Sequence, residues 1–95
     1  MTAYVVYDVD IHDIALYQDY MAEVKPAIEA IGGRYLARGG DHKVIEGDWE
    51  PNRMVLLEFP SMDAALSFYD CDPYQRTKEI RMKSSTARII LVEGM

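Results

Sequence analysis

Five side chains carry most of the chemistry open to this sequence: Arg38, Glu58, Tyr69, Tyr74 and Arg81. Arg38 and Glu58 each sit in a run that otherwise reads as core, RYLAR at 34–38 and RMVLLEF at 53–59. A hairpin joining those runs brings their ends within a few ladder positions of one another, where a guanidinium and a carboxylate can pair. A guanidinium is a rigid donor fork matched to carboxylate or phosphate, so Arg38 can hold an anion while Glu58 orients it or takes a proton. The two are therefore the catalytic candidates. They serve equally well as a structural ion pair at the end of a sheet or at an interface. Arg81, on the last helical segment, points to the same region if that segment folds back over the sheet, and Tyr69 and Tyr74 come with it. Two guanidiniums and two phenols form a ligand-binding set suited to a small carboxylate or enolate. The alternatives are tyrosines that fill an amphipathic core and an Arg81 that is a solvated helix charge.

The remaining reactive residues point elsewhere. His12 and His42 are the side chains that ordinarily titrate near neutrality, and neither has metal-ligand spacing. Asp8, Asp10, His12 and Asp13 can be drawn as a metal cluster, but helix capping and charge at a helix N-terminus account for the aspartates, so no metal is expected. Cys71 has neither a matched base nor a CxxC partner. Trp49, in EGDWEP, reads as a turn anchor or as a residue at a subunit boundary. The chain has no phosphate-binding glycine motif, no GxSxG and no HExxH, and no cofactor is expected.

Composition bounds the rest. The 95 residues make a single domain over 1–95, small enough to gain from a partner subunit. A net charge of −6 with scattered basic residues argues against nucleic-acid and anionic-membrane surfaces. No apolar run approaches the roughly 20 residues that span a bilayer, and the first ten residues turn acidic too early for a signal peptide. With one cysteine, the expectation is a cytoplasmic protein.

The elements that must position the five residues follow from periodicity. Ala3–Val9 is β-branched and aromatic, and predicts a first strand. Ile14, Tyr17, Met21, Val24, Ile28 and Ile31 recur at spacings of three and four, an amphipathic helix that Pro26 should kink or restart and that Gly32-Gly33 should stop. Arg34–Arg38 is the second strand, with a glycine bulge or bend at Gly39-Gly40 and a resumption at Lys43–Glu46; Arg53–Phe59 is the third. Ser61 caps a helix over Met62–Tyr69. Asp72 caps a second one over Pro73–Lys83, with Gln75 three residues after the cap, and that helix should lie across an edge or opening. Thr86–Val92 closes the chain as a fourth strand.

The order β-α-β-β-α-β, with its second helical region split, is the α+β ferredoxin-like plan with an antiparallel four-stranded sheet. In that plan one sheet face carries the helices. AYVVYDV, RMVLLEF and TARIILV are nonetheless apolar on both faces, so a second copy is expected to cover the other face, giving a homodimer with a barrel-like core.

The segments GGRYLARGG (32–40), EGDWEPNR (46–53), LEFPS (57–61) and FYDCDPYQ (68–75), with Arg81 and the closing VEG (92–94), resemble a bacterial family of unknown function, DUF1330, within the dimeric α/β-barrel superfamily. The resemblance covers nearly the whole chain and implies the dimeric ferredoxin-like fold. That family usually carries Ser-Pro-Glu-Tyr where this chain has Cys71-Asp72-Pro73-Tyr74, which displaces the proline by one position. The superfamily includes monooxygenases, isomerases and decyclising enzymes, so the resemblance admits a protein that binds or converts a small organic anion between sheet and helices. A non-catalytic dimeric module is the alternative.

Overall fold

The computed structural model describes residues 1–95. The elements run β1 (Ala3–Ile11), α1 (Ile14–Ala30), β2 (Arg34–Arg38), β3 (Arg53–Phe59), α2 (Met62–Asp70), α3 (Asp72–Ser84) and β4 (Ser85–Glu93). The strands form one antiparallel sheet in the order β2-β3-β1-β4, the ferredoxin-like arrangement that the sequence predicts. No helix is long and apolar enough to cross a membrane.

Alternation along β1 fixes which face meets the helices. Ala3, Val5, Tyr7 and Val9 are buried, as are Val55, Leu57 and Phe59 on β3. Against them α1 lays Tyr17, Tyr20, Val24 and Ile28, a stripe at helical spacing. Asp13 starts α1, its carboxylate accepting from Leu16 N at 3.1 Å, and Ser61 starts α2 by accepting from Ala64 N at 3.0 Å. Pro26 neither ends nor divides α1. Burial of Tyr20 and Val24 before it and Ile28 after it holds a single helical register. Gly33 N then donates to Ile28 O at 2.9 Å. A Cβ at Gly33 would lie 2.6 Å from Phe59 Cε1 and 2.7 Å from Ile28 Cγ2, so only glycine lets the chain turn this close to the core.

Three local expectations are corrected. Residues 43–46 form no strand; the chain from 39 to 52 is a loop. The chain does bend at Gly39, as expected, and a separate bulge lies earlier, between Tyr35 and Ala37. Helix α3 starts at Asp72 with Cys71 in the cap position and no side-chain cap, and the Gln75 amide donates instead to Tyr69 O at 2.7 Å. Helix α3 also packs against α1 and buries Tyr74, Thr77, Arg81 and Ser84, so it belongs to the core layer rather than lying over an opening.

The opposite sheet face has no helices. Ile90 and Val92, on β4, are 63% and 48% exposed there.

Candidate functional site

Arg81 is the unusual residue of the helix layer. It is 5% exposed, yet the chain's one side-chain ion pair lies elsewhere, between Arg34 and Glu58. Its Nε has no hydrogen-bond partner, and neither has the buried hydroxyl of Tyr74. Helical spacing places Tyr74 and Arg81 on one stripe of α3, and Tyr7 of β1 and Tyr20 of α1 complete the surroundings. The Tyr74 hydroxyl lies beside the Arg81 guanidinium and interacts with it. Serine hydroxyls fix the end of α3: Ser84 Oγ and Ser85 Oγ donate to Arg81 O at 3.1 and 2.7 Å, which anchors the backbone carrying the guanidinium.

Protonation follows from burial. Desolvation, with further contributions from neighbouring phenols, holds Tyr7 and Tyr20 well above the ordinary phenol range. Both are therefore neutral hydrogen-bond donors at neutral pH. For Arg81, burial works against the charge, but the phenols of Tyr74 and Tyr20 outweigh it and the guanidinium is held above the usual arginine range. A buried guanidinium with no carboxylate partner, set beside neutral phenols, is a donor set chemically suited to an anion. Phenols that keep their protons do not act as bases, so Tyr7 and Tyr20 are suited to donating hydrogen bonds rather than to taking a proton.

Arg81 reaches an open groove of about 540 Å³ between α3 and β4, walled also by Tyr69, Lys78, Ser85 and Ile89. Lys78 Nζ stands 4.8 Å from the centre of the Tyr69 ring, adding a second cation at the groove. The Tyr69 ring lies tilted against Tyr74 at 5.1 Å, and Tyr74 in turn lies 4.5 Å from Phe68. An aromatic ladder thus backs the groove.

Arg38 and Glu58 do not meet. Glu58 accepts from Arg34 Nε at 2.7 Å, while the exposed Arg38 donates to Met21 O at 3.0 Å and lies over the Tyr35 ring at 4.5 Å. The reason is the bulge. Simple alternation would place Arg34 and Arg38 on one face, whereas the extra residue between Tyr35 and Ala37 turns Arg38 to the helix side, opposite Val55. Arg38 there joins Arg53, whose Nη2 lies 3.4 Å from Met21 Sδ, over a cleft of only about 20 Å³ lined by Tyr17, Tyr20 and Tyr35. Desolvation raises the Tyr17 phenol too, against the lowering pull of Arg53, Arg81 and Arg38.

The structure therefore brings Tyr69, Tyr74 and Arg81 together, sets Arg38 at the neighbouring cleft, and places Glu58 on the other sheet face. Tyr7, Tyr20, Lys78 and Arg53 were not singled out in the sequence. Tyr7 shares its alternation with Val5 and Val9, and that was the available signal. Asp8, read above as a capping aspartate, is instead 9% exposed on the sheet face away from the helices. Its Oδ2 accepts from Trp49 Nε1 at 3.0 Å and its Oδ1 from Asn52 N at 2.8 Å, so it pins the loop rather than capping a helix. Of the residues drawn above as a metal cluster, Asp13 caps α1 and His12 Nε2 meets Thr86 Oγ1 at 2.8 Å.

Residues 2–95 match the family model described as Domain of unknown function (DUF1330). No curated protein matches the chain. Among solved structures, a protein of unknown function from Rhodopseudomonas palustris is similar at 17% identity, covering 99% of this chain and 82% of the other, with a TM-score of 0.79. A dimeric ferredoxin-like protein of unknown function from Jannaschia sp. CCS1 is 13% identical over 99% of this chain and 100% of the other, with a TM-score of 0.74. SnoaB, a cofactor-independent oxygenase from Streptomyces nogalater, is 12% identical over 99% and 93%, with a TM-score of 0.70. At these identities the likeness is one of fold.

Proposed function

This chain belongs to the DUF1330 family, and we propose that within that family it is a homodimeric protein that binds a small organic anion at Arg81, between the sheet and α3. The observation that carries this reading is Arg81 itself: 95% removed from solvent, charged, and without a carboxylate partner. An uncompensated buried charge costs several kcal/mol, a cost that an arriving carboxylate or enolate offsets. Tyr69 and Lys78, which line the groove, supply a donor and a second positive charge to the same anion, while the fully buried Tyr74 backs Arg81. Arg38 and Arg53 form a separate cationic rim at the α1 cleft and are secondary. Glu58, on the other face, has no part in this site. One fold relative is a cofactor-independent oxygenase, which supports a search for turnover of the anion once its binding is established.

The dimer rests on the second sheet face. Ile90 and Val92 leave apolar surface in water that the same face of a second copy would bury, and a fold relative is dimeric.

Calorimetric titration of wild type, Arg81→Met and Arg38→Ala with short carboxylates and inorganic phosphate tests the anion site. Arg81→Met should lose at least tenfold in affinity with an unchanged or higher Tm, because the methionine keeps the volume and removes the buried charge. Arg38→Ala should keep most of the affinity. Wild-type affinity in Arg81→Met would overturn the reading, and a large loss in Arg38→Ala alone would move the site to the α1 cleft.

A further inference from the structure

A second cavity, of about 190 Å³, opens between α2 and strands β1 and β4 and is lined only by apolar and aromatic side chains, among them Tyr7, Ala65, Leu66, Phe68 and Leu91. It shares Tyr69 and Ile89 with the wall of the Arg81 groove. The two spaces therefore adjoin along β4, with Tyr69 and Ile89 between them, one space apolar and the other carrying Arg81 and Lys78. An apolar cavity of roughly 150 Å³ suffices for a benzene-sized body, so the apolar end takes one ring or a short alkyl chain. We infer that the ligand is an amphipathic acid, an aryl or short-chain alkyl carboxylate, with its carboxylate at Arg81 and its apolar body between α2 and β4.

The inference rests on the anion site proposed above and adds the class of ligand that fills it. Charge complementarity sets the orientation. The apolar end carries no cation, and the groove end offers two. Tyr69, at the junction, presents its ring to the body of the ligand while Lys78 lies over it. Leu66, 51% exposed, forms part of the rim and can be changed without opening the core.

The test is a ligand series on the wild-type protein: acetate, butanoate, hexanoate, benzoate and phenylacetate, with the neutral alcohol of each length as control. Affinity should rise roughly fourfold for each methylene buried, then level off when the apolar end is full. The alcohols should bind at least tenfold more weakly than the matched acids. Leu66→Asp should flatten the gradient and leave acetate binding intact. If acetate binds but affinity does not change with length, or if Leu66→Asp leaves the gradient untouched, the amphipathic ligand is overturned and the anion site stands. If no acid binds at all, both fall together.

Discussion

Asp8 and Trp49 are 41 residues apart in the chain and joined by a 3.0 Å hydrogen bond, the indole N–H donating to a carboxylate that is 9% exposed. That bond, with the one from Asn52 N, ties the loop at 39–52 to β1 on the sheet face away from the helices. Asp8→Ala leaves both donors without their acceptor and should destabilise the protein by about 1–3 kcal/mol. Tryptophan fluorescence should shift as Trp49 gains mobility, since it is the chain's single indole. Unchanged emission and stability would mean that the loop is held by other contacts.

The buried phenols make stability depend on pH above the physiological range. Tyr7 and Tyr20 are raised chiefly by desolvation, whereas in the unfolded chain they titrate near ~10. Above that pH the unfolded state binds fewer protons than the folded state, so stability is fully present at neutral pH and declines as pH rises. Each contributes a slope of up to ~1.4 kcal/mol per pH unit. Urea midpoints measured from pH 8 to about 11 should fall along this course, and Tyr20→Phe should make the fall shallower.

Glu58→Gln should leave anion binding at Arg81 unchanged and alter stability by less than ~1 kcal/mol, because its partner Arg34 is 68% exposed and the pair is screened. Calorimetry and thermal melts on the same preparation decide the matter. A loss of binding would return Glu58 to the site and contradict the placement of the two faces.

Ile90→Glu puts a charge at the centre of the exposed apolar strip of β4. If two copies meet through this face, the substitution should weaken association by about 2 kcal/mol or more, the scale of an interface hot spot. Light scattering across a concentration series reads the change directly. A wild-type protein that stays monomeric at every concentration refutes the dimer.

Much of the fold was legible in local patterns. Alternation in AYVVYDV and RMVLLEF, the three-and-four spacing that includes Tyr17, Val24 and Ile28, and the caps at Asp13 and Ser61 each depend on residues near one another in the chain. Such patterns survive into the fold because burial of one face selects one period. The apolar character of both strand faces was legible in the same way, as Ile90 and Val92 show.

The site was legible only in part. Tyr69, Tyr74 and Arg81 sit on two consecutive helices, so their proximity follows from the short link at Cys71. The burial of Arg81 does not, because a cation on the more polar helix reads as solvated until α3 is seen to pack against α1. Arg38 and Glu58 turned on a single bulged residue: register has period two, so one extra residue in β2 reverses the face of everything after it. Asp8 meets its loop across 41 residues. The sequence by itself determined the order of the strands and helices and most of the core. The tertiary structure decided which charges are paired, which are exposed, and that Arg81 is buried without a carboxylate partner, because those outcomes depend on packing and register between segments far apart in the chain.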